Sequence, residues 1–190
     1  MKARIAALCG LLAAASGAHA ETSVRLDMGL VSGAVSGDAA RRVGIAERGY
    51  GLLFGAGLGR SSFVAGLDAT FELIEDRAIF TQPTTTGVMS SSTAVYDFGF
   101  YGGARKRFGA PGARPLIAGV NAGYNIAFGL RMIDYCQDCY QEKLHLKDGF
   151  YLEPGLAIGM DRGWQIGASV RVYTGSDFRS MILLRATKTY

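Results

Sequence analysis

Apolar and polar residues alternate through most of this chain in segments of about 10 to 15 residues. In Phe63-Val64-Ala65-Gly66-Leu67-Asp68-Ala69-Thr70-Phe71-Glu72-Leu73 the odd positions are apolar, and the even ones are mostly small, polar or acidic. Successive side chains of a strand point to opposite faces, so this period of two predicts a strand with one apolar face. Eight such segments are present: about Thr22–Val31, Gly49–Leu58, Ser62–Ile74, Ala94–Lys106, Pro115–Leu130, Gly149–Met160, Trp164–Tyr173 and Ser180–Tyr190. Their length and dyad pattern predict transmembrane β-strands, apolar outward and polar inward. The connections alternate as well. Those at Gly59-Arg60-Ser61, about Arg107–Arg114, and Asp161-Arg162-Gly163 are short, while the other three loops are long. An even strand count with alternating short turns and long loops predicts a closed, antiparallel, up-and-down barrel with both ends of the chain on the short-turn side.

The first 20 residues read differently. Lys2 and Arg4 precede the apolar run Ile5–Ala15, and Ala18-His19-Ala20 offers small residues at a cleavage site. This predicts a secretory signal peptide over 1–20, cut before Glu21, with Cys9 discarded in it. The remaining chain, 21–190, is one barrel domain with 18 basic and 16 acidic residues. That near balance, and the lack of a long basic run, argue against a nucleic-acid partner. No stretch of 18 apolar residues is present, so a transmembrane helix is not expected. Export leaves two classes, a soluble barrel and a membrane barrel. Polarity separates them. The inward set comprises Arg25, Asp27, Asp68, Glu72, Asp97, Arg105, Glu153, Arg171 and Arg185. A soluble barrel would turn these outward and crowd its narrow interior with Tyr96, Phe98, Phe100 and the aliphatic rows. An arginine facing mid-membrane lipid would cost ~2–4 kcal/mol, so these charges belong inside a lipid-embedded barrel. Many of the 27 glycines share the inward parity, as a narrow lumen requires. Tyr50, Phe63, Phe108, Trp164 and Tyr190 lie near strand ends, where aromatic girdles form.

A secretory signal, eight amphipathic strands, short turns and the last strand Ile182-Leu183-Leu184-Arg185-Ala186-Thr187-Lys188-Thr189-Tyr190 resemble the small outer-membrane barrels of Gram-negative bacteria. That group includes the outer-membrane protein A transmembrane domain, the outer-membrane protein X type and the opacity-type surface antigens. The resemblance covers residues 21–190 and is architectural. It implies an integral cell-envelope protein of the outer membrane. Its partners would be lipid, lipopolysaccharide, periplasmic chaperones and the assembly machinery that reads the final strand. The family usually ends in Phe where this chain has Tyr190.

Candidate chemistry starts in the lumen. A hairpin symmetric about Arg162 sets Glu153 opposite Arg171 and Tyr151 opposite Tyr173. Occluded charges must pair, which predicts a Glu153–Arg171 salt bridge within a network drawn from the inward charges. Such a network reads as a plug or as a gate. Cys136 and Cys139 lie in the third long loop, where an oxidising compartment favours a disulfide. A metal site using Asp134, Asp138, Glu142 and His145 is the alternative, but it lacks a second cysteine pair. Some relatives implied by the resemblance are lipid A-modifying enzymes that need a histidine. Here His145 flanks an outer loop and no serine occurs between 140 and 168, so that pattern is unmet. The polar second loop around Thr81–Thr93 is a candidate for surface contact. The expectation is therefore a non-enzymatic barrel for envelope integrity or loop display (adhesion or host contact). A small channel and a lipid A-acting enzyme are the alternatives. No cofactor and no catalytic residue are expected.

Overall fold

Nine strands and one short helix make up the computed structural model, which describes residues 22–77, 91–110, 113–133 and 141–190. In chain order they are β1 (Thr22–Val35), α1 (Gly37–Val43), β2 (Ile45–Arg60), β3 (Phe63–Asp76), β4 (Ser91–Phe108), β5 (Leu116–Ile133), β6 (Gln141–His145), β7 (Gly149–Gly159), β8 (Trp164–Thr174) and β9 (Phe178–Thr189). Neighbouring strands are antiparallel, and the β1–β9 pairing closes the sheet into a barrel. β6 and β7 both pair with β5, at its two ends, so together they form one stave and the barrel has eight. Closure pairs each of the eight staves on both sides, as a lipid-embedded sheet requires, and only the short β6 segment at the long-loop end pairs on one side alone among the described residues.

The alternation in sequence becomes the wall. Even positions of β3 are inward: Val64, Asp68, Thr70, Glu72 and Ile74 are buried, whereas Phe63, Leu67 and Leu73 are exposed. Every stave exposes large apolar side chains. On β5 the exposed row runs from Leu116 to Ile126, with Met132 exposed again beyond half-buried Phe128 and Leu130; Leu116 to Ile126 is roughly 33 Å along the strand and roughly 25 Å along the axis at a tilt of ~40°. That matches the apolar band of a membrane barrel. At the short-turn end Phe63, Phe108, Trp164 and Tyr190 are exposed, with Lys188 Nζ 5.6 Å from the Trp164 ring centroid and 5.3 Å from that of Tyr190. Tyr50, the fifth aromatic of the expected girdle, is exposed toward the other end.

Three differences from the sequence expectation have local causes. The first long loop is mostly regular structure: β1 runs on to Val35, β2 begins at Ile45, and α1 lies between them. Ser36 caps α1 through its Oγ, which accepts from Ala39 N at 3.3 Å, and Gly44 ends it at φ 72°. A seven-residue helix is too short to announce itself by periodicity. Second, the stave expected to start at Gly149 extends back through β6, and β4 starts at Ser91 rather than Ala94. Side chains replace the ladder at the break between β6 and β7: Asp148 Oδ1 accepts from Ala127 N at 2.9 Å, and Asn125 Oδ1 accepts from Gly149 N at 2.9 Å. Third, the lumen is polar in its middle and toward the short turns but apolar toward the long loops. Val31, Val35, Ile45, Leu53, Ile74 and Phe178 pack there with Ala39 and Ala40 of α1. The signal-peptide region, most of the second loop, and Cys136 and Cys139 lie outside the described residues.

Candidate functional site

The inward positions bring one charged cluster to the middle of the lumen. Arg171 on β8 has no exposed surface. Its Nη2 lies 2.5 Å from Asp68 Oδ2 and 2.8 Å from Glu153 Oε2, and its Nε lies 2.9 Å from Glu153 Oε2. Its Nη1 is 3.3 Å from Asp68 Oδ1, completing a fork on that carboxylate. Asp97 Oδ2 stands 3.9 Å from Nη1, and the guanidinium lies 4.1 Å from the Tyr151 ring centroid. Arg185 on β9 reaches Glu153 Oε1 at 2.8 Å and Asp68 Oδ2 at 3.8 Å. Ser169 and Asn121 donate to Glu153 Oε1 at 3.1 and 3.3 Å. Tyr173 donates to Asp97 at 2.7 Å.

The register explains this convergence. Tyr151 pairs with Tyr173 and Leu152 with Val172, so Glu153 falls opposite Arg171. Asp68, on β3, lies across the lumen from both arginines. Their contact is a chord through the barrel, not a neighbour-strand pair. Close packing on this chord leaves no room at the facing glycine: a Cβ on Gly99 would lie 2.4 Å from Asp68 Oδ1.

Not every inward charge joins this cluster. Arg25 and Asp27 form a separate pair at 3.1 Å, tied to Thr187, which donates to Asp27. Glu72 is fully buried and makes no ion pair among the described residues, its polar neighbour being the Gly33 backbone. It lies where the lumen narrows: a Cβ on Gly33 would sit 2.1 Å from its Oε2. Arg105 faces the lumen but makes no ion pair among the described residues; the charges around it are Arg25, Asp27 and Arg185. The inward charges thus divide into a central cluster that contains the Glu153–Arg171 contact, one local pair, and two charges outside both. Tyr190 pairs with Val24 through both backbone groups, at 2.9 and 3.2 Å, and seals the β1–β9 seam.

A second polar cluster was missed. Arg131 on β5 is buried at the long-loop mouth, with Nε 2.6 Å from Asp76 and Nη1 2.7 Å from Glu142. Its Nη2 donates to the carbonyls of Val43 and, at 3.2 Å, Gly44, at the end of α1. Arg42 on the same helix pairs with Asp177, which also accepts from Lys147 N at 2.7 Å. α1 is thus fastened over the mouth by charge-assisted contacts. The odd parity of Arg131 within Asn125–Ile133 marks it as inward, but its helix partner is not visible in sequence. His145 is exposed at the end of β6.

No family model and no curated protein matches the chain. Solved structures do. The crystal structure of Neisserial surface protein A aligns with a TM-score of 0.51 at 13% identity, covering 90% of this chain and 97% of that one. This chain has the fold of the small outer-membrane β-barrels. The attachment invasion locus protein Ail of Yersinia pestis, in complex with the heparin analogue sucrose octasulfate, aligns at 0.50 and 12% identity, covering 90% and 99%. Round this fold runs an apolar belt of the kind a membrane barrel presents to lipid.

Proposed function

We propose that this protein spans the outer membrane as a closed, non-conducting, non-enzymatic barrel that carries long loops at the cell surface, for envelope integrity or adhesive contact. The observation that supports this most is the doubly obstructed lumen. The Asp68–Arg171–Glu153–Arg185 cluster fills its middle, and α1 with its apolar bed fills the long-loop mouth. Eight strands leave an interior just wide enough for side chains, so this filling closes the path. The long loops face outward and the short turns face the periplasm in this reading. A signal peptide cut before Glu21, a Cys136–Cys139 disulfide and recognition of Tyr190 by the assembly machinery complete it.

The test is planar-bilayer conductance of refolded, heat-modifiable protein. No steady conductance is expected. Steady channel openings would refute the closed barrel and favour a gated pore. An epitope inserted after Thr85 should be labelled on intact cells; labelling only after permeabilisation would reverse the orientation. An intact mass without reduction should match residues 21–190 less two hydrogens. An altered lipid A mass on overexpression would instead indicate an enzyme.

A further inference from the structure

The short-turn end of the barrel is basic beyond anything its acids balance. Arg60, Lys106, Arg107, Arg114, Arg162 and Lys188 ring that end, against one acidic side chain, Asp161, among the described residues. The opposite end has no such excess: Asp38 pairs with Arg41, Asp177 with Arg42, and Asp76 and Glu142 with Arg131. Inside the basic ring lies a vestibule of about 380 Å³, lined by Arg25, Arg105, Ser61, Ser62, Gln165 and Thr189. It continues into a smaller cavity of about 60 Å³. That space exceeds the ~10–15 Å³ one water needs and can hold a small tetrahedral ion. Arg25, Arg105 and Arg185 line the inner cavity together, with Asn121, Gln165 and Thr187. Glu153 and Arg185 of the central cluster line its inner end.

The arginines here have donors to spare. Arg25 is 4% exposed, yet its Nε and Nη1 have no partner among the described residues, and neither does Nε of Arg185. Arg105 contributes a guanidinium with no ion pair among those residues. Of the two acids at this level, Glu153 is held by Arg171 and Arg185, while Asp27 is held by Arg25 and Thr187 through Oδ1 alone, its Oδ2 having no hydrogen-bond partner among the described residues. Arginine forks match tetrahedral oxyanions, and buried donors without acceptors are costly. We propose that this arginine vestibule is an oxyanion site, built for a phosphate-type group entering from the short-turn side. The basic ring steers the anion in, and Arg105 with the free edge of Arg25 and of Arg185 holds it. The site requires only the barrel fold, so it stands or falls separately from the surface role proposed above.

The test follows arginine Nε–Hε signals by NMR in the refolded barrel, held in uncharged detergent, while inorganic phosphate is titrated at constant ionic strength. Signals of Arg25, Arg105 and Arg185 should shift with saturation, and those of Arg41 and Arg42 should not. Arg105→Gln, which breaks no ion pair, should weaken the apparent affinity about tenfold, the loss of one charge-assisted contact. Arg105→Lys keeps the charge and should weaken it less, and this second variant decides the matter if the first fails to become heat-modifiable. A parallel arm without phosphate compares nanodiscs of neutral and of anionic phospholipid. Shifts at Arg105 and Arg25 only in the anionic discs would assign the phosphoryl group to a lipid headgroup. Shifts that never saturate, shifts confined to Arg60, Arg107 and Arg162, or unchanged affinity in Arg105→Gln would overturn the site.

Discussion

Replacing Arg171 by alanine is the sharpest perturbation of the lumen. The wild-type guanidinium serves Asp68 at 2.5 Å and Glu153 at 2.8 Å, with Asp97 at 3.9 Å. Without it these carboxylates are left with Arg185, which lies 2.8 Å from Glu153 but 3.8 Å from Asp68. Asp97 retains the Tyr173 hydroxyl but no cation. Removing one partner of a buried ion pair costs ~3–5 kcal/mol, because the remaining charge is stranded. Urea slopes are ~1–3 kcal/mol per molar, so the unfolding midpoint should fall by roughly 2 M. Trp164 is the only tryptophan, and its fluorescence follows unfolding of the barrel in lipid vesicles. The charge argument makes a second demand. Adding Asp68→Asn to Arg171→Ala removes a stranded carboxylate, so the double variant should be more stable than the two single losses predict, with a coupling of at least ~1 kcal/mol. A change below ~0.5 kcal/mol for Arg171→Ala, or strict additivity in the double variant, would refute the claim that Arg171 neutralises this part of the lumen.

Three other outcomes are expected. Arg131→Ala removes the contacts that fasten α1 to Asp76 and Glu142; hydrogen exchange at residues 39–44 should accelerate while the central staves stay protected. Gly99→Ala drives a methyl to within 2.4 Å of Asp68 Oδ1 and should cost ~1–3 kcal/mol in the same urea assay, more than Gly102→Ala, where a Cβ meets nothing within 4 Å. Met28→Arg, on the lipid face midway along β1, should cost ~2–4 kcal/mol, whereas Thr22→Arg at the short-turn edge should cost ~0–1; equal costs would argue against a membrane band centred on Met28.

The staves were legible because their constraint is local. A single period of two, read against a lumen that tolerates Asp68 and Asp97 and a belt that exposes Leu67 and Phe98, assigns every inward and outward position without knowledge of a neighbour. Register across a tight turn is legible for the same reason: symmetry about Arg162 is enough to bring Glu153 to Arg171. What escapes is whatever depends on the barrel's closure. Asp68 meets Arg171 across the lumen, and the levels of β3 and β8 relative to each other are set by the accumulated stagger of the intervening staves. No pair of sequence positions encodes that stagger. The same holds for Arg105, whose parity marks it as a lumen charge but whose level places it among other arginines.

The long-loop mouth was hidden for a different reason. Its seal is made of pieces too short to show a period: seven residues of α1 and five of β6. Each is fixed by a side chain from elsewhere, Arg131 for α1 and Asp177 for the backbone beside β6. Once these are placed, the lumen has a direction. Its apolar, fastened end lies under the long loops and its charged plug lies in the middle. Its surplus arginines open only toward the short turns. A conducting pore would need both ends open and its charges lining a continuous path, whereas a lumen shut at one end and plugged in the middle exposes its chemistry to a single compartment. A ligand of the proposed arginine site would therefore enter and leave by the same mouth. Under the proposed closed barrel, that is the behaviour of a binding site and not of a passage.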